Sequence, residues 1–139
     1  MGNKVFVDTS GFYAMLVKRD DAHTSATKLM NKAKRLKWSF VCTDYILDET
    51  ATLLKARGFG HLLADFFDSV LQSRVCHVEW TDSERFHSTT EYFLKTSDQR
   101  WSFTDCLSFL VMRELKIKNA LTKDTHFREA GFQPLLLRN

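Results

Sequence analysis

The chain has 139 residues, 44% of them hydrophobic and 27% charged, with five glycines, one proline and three cysteines. That length predicts one domain over residues 1–139 with its own core, and the composition excludes a disordered tail, a collagen-like repeat and a disulfide-stapled miniprotein. Twenty basic against 17 acidic residues leave a formal charge of +3, which permits a nucleic-acid partner without arguing for one.

The opening MGNKVFVDTS has no apolar run of signal-peptide length. No segment approaches the roughly 18 apolar residues of a membrane span. A soluble, cytoplasmic protein with no membrane partner is the expectation. Val5–Val7 reads as a first strand, and helical periodicity follows over Gly11–Val17 and Asp21–Leu36. Lys32, Lys34, Arg35 and Lys37 cluster at the end of the second of these. A solvated helix end favourable to the dipole, or an RNA track, explains that cluster. Ser39–Cys42 is a second strand, and Asp44–Arg57 and Gly60–Gln72 form a helical hairpin broken at Gly58 and Gly60. Val75–Trp80 is a third strand, after which Thr81-x-x-Glu84 predicts a capping box for a helix over Ser83–Lys95. Thr104-Asp105 reads as the N-cap of an almost uniformly apolar helix to Leu115, followed by strands at Ala120–Thr122 and Leu135–Leu137 with a short helix near His126. Strands alternating with helices predict a parallel α/β sheet. Cys42, Cys76 and Cys106 lie far apart in apolar stretches with no C-x-x-C pair, so they read as buried thiols of a reducing compartment.

In an open parallel sheet the functional crevice lies beyond the carboxyl ends of the strands, and four acids fall in or near such places. Asp8 ends the first strand, with a helix N-cap as its alternative role. Glu49 is placed by helical spacing among Tyr45, Ile46, Leu53 and Ala56, on an apolar face where a carboxylate needs a cation or a metal. Asp105 heads the apolar helix, where the dipole alone would also favour an acid. Asp124 follows the fourth strand by one residue, Lys123, a cation able to pair with it, and a helix N-cap is its alternative role. Converging carboxylates raise one another's pKa, and a hard divalent cation relieves that repulsion. With no histidine pair to suit zinc, Mg²⁺ or Mn²⁺ chemistry on a phosphodiester is the natural reading. Tyr45 and Trp101 are candidates for base stacking, with core packing as the default for both.

The motifs VDTSG, LDET, SFTDC and LTKDTHFREAGF, in that order, resemble the PIN-domain ribonucleases, and most closely the small VapC-type toxins. The resemblance implies a three-layer α/β/α sandwich with about five parallel strands in the order 3-2-1-4-5. It implies metal-dependent cleavage of RNA, leaving a 5′-phosphate and a 3′-hydroxyl. The family acids fall on Asp8, Glu49, Asp105 and Asp124, which would hold Mg²⁺ or Mn²⁺ and carry catalysis. Thr9 and Ser10 match the family's small hydroxyl residues. His126 reads as a helix-start residue rather than a base, and Asp98 as a loop residue. A toxin of this kind is expected to dimerise and to be held by a small antitoxin. A catalytically silent PIN-like binding module is the alternative. An aspartyl-phosphate phosphatase is disfavoured by Ser10, which stands where that chemistry needs a second acid. A receiver domain is disfavoured by the single acid after strand one.

Overall fold

The computed structural model describes residues 3–137. Lys4–Val7 (β1) is buried along Val5, Phe6 and Val7, the continuous apolar run of a strand covered on both faces. It pairs in parallel with Ser39–Thr43 (β2) on one side and Asn119–Leu121 (β4) on the other. Cys76–Glu79 (β3) flanks β2 and Gln133–Pro134 (β5) flanks β4, so the sheet order is 3-2-1-4-5, as expected.

Helices Thr9–Leu16 (α1), His23–Leu36 (α2), Asp44–Ala56 (α3) and Leu63–Leu71 (α4) pack on one another. Ser83–Lys95 (α5), Phe103–Glu114 (α6) and Thr125–Glu129 (α7) form a second group. The chain winds outward from β1 to β3, then crosses back to β4. Right-handed crossovers therefore put the two helix groups on opposite faces, giving the three-layer sandwich. Phe127 packs on the sheet through Phe6 at 6.2 Å and meets Phe109 edge-to-face at 5.0 Å within its own helix layer, while Phe12 meets Phe66 in the same way at 5.3 Å in the other. Cys42 and Cys106 are buried and all three thiols are free. Among the described residues no helix is long and apolar enough to cross a membrane.

Four local expectations need correction. The cap of α5 is Asp82, which accepts from the Arg85 amide at 2.8 Å. Thr81 instead donates its hydroxyl and amide to Asp44, at 2.7 and 3.2 Å, tying the starts of α3 and α5 together. The cap of α6 is Ser102 rather than Thr104, with Asp105 completing a capping box at the third helical position. The hairpin helix begins as a 3₁₀ turn, Gly60–Leu62, before α4 proper. The last strand is Gln133–Pro134, earlier than Leu135–Leu137, because Gly131 at φ 96° ends α7 and pairing with β4 starts at once. Pro134 suits this edge position, where one missing donor is tolerated.

One contact fixes how α1 leaves the sheet. A Cβ on Gly11 would stand 2.0 Å from the Leu121 carbonyl oxygen, so only glycine lets α1 and the end of β4 approach this closely. Gly11→Ala should therefore destabilise the protein by about 1–3 kcal/mol, although helix propensity alone predicts a gain near 1 kcal/mol. Urea unfolding followed by circular dichroism decides between the two signs.

Candidate active site

Because Val7 lies opposite Leu121, the next residues of each strand, Asp8 and Thr122, meet beyond the sheet edge. Thr122 Oγ1 donates to Asp8 Oδ2 at 2.8 Å. The other carboxylate oxygen accepts from Ser10 Oγ at 2.8 Å and from the Gly11 amide at 3.0 Å. Asp8 thus serves both roles open to it: it caps α1 and stands in the crevice. It is 6% exposed, and burial pushes its carboxyl up to about 7 despite these three donors, with the Asp124 charge adding to the rise.

Asp124 caps α7 by accepting from the His126 amide at 2.9 Å, and its own amide donates to Thr122 Oγ1 at 2.9 Å. Asp105 accepts from the Ser102 amide at 3.0 Å. The His126 ring places Nδ1 3.0 Å from Asp105 and 3.5 Å from Asp124. Atoms of Asp105, Asp124 and His126 able to ligate a metal all lie within 4.8 Å of one another. Burial raises the Asp105 carboxyl, and the Asp124 charge adds to it against the lowering effects of Ser102 and His126. Burial opposes a proton on His126, but the hydrogen bond to Asp105 and the charges of Asp124, Asp105 and Glu129 outweigh it and raise its pKa.

Glu49 lies across the cleft on α3. It is exposed, not set in an apolar face: the buried stripe of α3 runs through Ile46, Leu47, Thr50 and Leu54, about one residue's rotation from the expected one. Thr9 Oγ1 donates to Glu49 Oε1 and fixes its direction. Asp8, Glu49 and Asp124 line one cleft of about 290 Å³. Asp105 joins from the far side of Asp124, through His126.

Lys123 does not pair with Asp124. Its ammonium lies 3.1 Å from Asp20 and 2.8 Å from Asp21, while its amide donates to Ser10 Oγ at 2.8 Å. The Asp124 carboxylate is left to the cleft. Asp98 is exposed in the turn after α5 and is not among the residues that line the acidic cleft. The basic end of α2 precedes β2, so it lies at the opposite end of the sheet. Tyr45 packs on Phe103, and Trp101 on Phe109 and Tyr92.

Two contributors escaped the sequence reading. Thr122 reads in the sequence only as the end of a strand, yet its hydroxyl joins Asp8 to the Asp124 backbone; the β1–β4 register is the signal that points to it. Asp20 draws Lys123 away, a role no local motif announces.

An oxygen-rich donor set with uncompensated charge fits a hard divalent cation. Asp105 and Asp124 offer oxygens within 4.8 Å of each other, close enough for like charges to repel by a few kcal/mol at an effective dielectric near 20.

The PIN domain model matches residues 5–133. The chain belongs to the PIN domain family, among its VapC ribonucleases. It is 34% identical over 129 residues to the 23S rRNA-specific endonuclease VapC20 of Mycobacterium tuberculosis, covering 92% of this chain and 95% of that one. A VapC ribonuclease of Archaeoglobus fulgidus is 32% identical over 124 residues, covering 87% and 77%. The crystal structure of the mycobacterial VapC20, described as a sarcin-ricin loop cleaving toxin, superposes with a TM-score of 0.81 at 31% identity over 92% and 95% of the two chains.

The raised Asp8 pKa has a measurable consequence. The folded carboxyl titrates near 7 and the unfolded one near 3.8. Its stabilising share is complete below pH 3.8 and disappears as pH rises through 7, at up to about 1.4 kcal/mol per pH unit. In EDTA, the stability of Asp8→Asn relative to the natural chain should climb steadily from pH 4 to 7. A constant difference in thermal midpoint across that range would contradict the raised pKa.

Proposed function

We propose that this PIN-domain ribonuclease toxin cleaves RNA with Mg²⁺ or Mn²⁺ held by Asp8, Glu49, Asp105 and Asp124. The observation that supports this most is geometric: Asp8, Glu49 and Asp124 line one cleft, with Asp105 and His126 beside Asp124, and burial, with a smaller addition from the Asp124 charge, raises the Asp8 and Asp105 carboxyls there. Such a cluster gains more from a divalent cation than any neutral arrangement would. The carboxylates would hold a cation whose chemistry would be to offset phosphodiester charge and to lower the pKa of a bound water.

The protein's own share is positioning. Ser10, Gly11 and Thr122 hold the Asp8 carboxylate in one orientation, and Thr9 does the same for Glu49. Ser102 and His126 orient Asp105. Asp20 and Asp21 keep Lys123 from neutralising Asp124. These contacts spare the acids much of the reorganisation that substrate binding would otherwise demand.

The likeness to VapC20 makes the sarcin-ricin loop of 23S rRNA the first substrate to assay. The whole chain would act as one nuclease domain in the cytoplasm, with a small antitoxin as its partner. Exposed Trp80, Phe86, Phe93 and Leu94 support a homodimer, which sedimentation would report as twice the chain mass; a monomer at micromolar concentration would refute it.

Asp8→Asn and Asp124→Asn should each slow RNA cleavage by about two orders of magnitude or more, since a cation's contribution is worth several kcal/mol. Both variants should keep the native circular dichroism spectrum. EDTA should abolish cleavage by the natural chain, and Mn²⁺ or Mg²⁺ should restore it. Persistent cleavage in EDTA, or full activity of a folded Asp8→Asn protein, would overturn the assignment.

A further inference from the structure

Helix α3 ends in a double turn that fixes the backbone at its C-cap, Arg57. The Phe59 amide bonds back to the Leu54 carbonyl at 2.8 Å and the Gly58 amide to Lys55 at 3.3 Å. Gly58 takes φ 84°, the left-handed residue that such a stop requires. Arg57, the C-cap, is thereby held at the rim of the acidic cleft, which it lines with Tyr13 and Glu49.

Its guanidinium lies 5.0 Å from the centroid of the Tyr13 ring. Tyr13 is buried and meets Phe59 edge-on at 6.0 Å, and the Arg19 guanidinium lies 4.9 Å from the Phe59 centroid. Two arginines are thus braced against two neighbouring rings, Arg57 lining the cleft and Arg19 lining a separate hollow with Phe59. Among the described residues neither has a carboxylate partner, whereas Lys123, the other cation of the cleft, is committed to Asp20 and Asp21. Stacking restrains a guanidinium while leaving its five donors open, the arrangement suited to a phosphate oxygen pair.

We propose that Arg57, braced on Tyr13, grips an RNA phosphate beside the acidic cleft, and that Arg19 on Phe59 extends the same phosphate track away from it. This rests on the ribonuclease reading and names a positioning residue for it. A cleft walled by carboxylates repels a polyanion, so binding requires cations fixed at its rim rather than within it.

The test uses the full chain carrying Asp8→Asn, so that RNA is bound without being cut. Binding of a fluorescein-labelled single-stranded RNA is followed by anisotropy as NaCl is varied. Adding Arg57→Ala should weaken binding about tenfold and flatten the plot of log Kd against log salt by about 0.7–1. Arg57→Lys should keep the slope but recover only part of the affinity, and Arg19→Ala should act in the same direction as Arg57→Ala but less strongly. In the cleaving chain, Arg57→Ala should raise KM while changing kcat by less than about threefold. Unchanged affinity and slope in the Arg57→Ala protein would overturn the proposal, as would unchanged RNA binding accompanied by lost association with a protein partner. If the natural chain cuts no RNA, the ribonuclease reading fails, and the salt slope still decides whether Arg57 grips phosphate.

Discussion

The parallel pairing of β1 with β4 governs everything at the acidic end of the sheet. Strand order reverses there, and the chain ends of both strands open into the same space. One register, Val7 opposite Leu121, brings Asp8 against Thr122 and then sets the Asp124 amide on the same hydroxyl. A one-residue slip would turn each of these side chains to the other face of the sheet. Gly11 makes that register compatible with a helix starting immediately after β1, because no side chain larger than hydrogen fits under the Leu121 carbonyl.

Three of the four acids serve helix starts as well as the crevice. Asp8 and Asp124 cap α1 and α7, and Asp105 closes the capping box of α6. The two uses reinforce each other. An N-terminus supplies amide donors and a favourable dipole for a carboxylate that must stay ionised near other carboxylates. The same geometry aims three helix N-termini at one spot. Local helix chemistry therefore puts an acid at each of three helix starts, and the sheet topology brings those starts together.

This is why so much of the molecule was legible from residues alone. VFVD followed by TSG announces a buried strand, a cap and a tight exit, and the alternation of strands with helices announces the sheet. What escaped was whatever depends on approach between distant segments. The orientation of Glu49 follows from which stripe of α3 meets the core, and its apolar neighbours allow two stripes one residue apart. Lys123 stands next to Asp124 in the chain, yet its side chain reaches Asp20, some hundred residues earlier. The helix starts at Asp82 and Ser102 shifted because each cap had a rival a residue or two away, and tertiary contacts chose between them.

The charge balance carries the last step. Setting aside Asp8, Glu49, Asp105 and Asp124 leaves 13 acids against 20 bases, so a net charge of +3 conceals a body of +7. A field of that sign draws RNA toward the protein at any orientation, with little discrimination. Four acids gathered at one end of the sheet oppose that attraction locally, and a bound cation would remove the opposition where the phosphodiester must be cut. Productive docking then needs a few fixed cations beside the acids, rigid enough to place a phosphate and far enough away not to neutralise them. Lys123 is excluded from that task by its two aspartates, and the lysines at the end of α2 by their position at the other end of the sheet. Arg57, stacked on Tyr13 where it lines the cleft, meets both conditions.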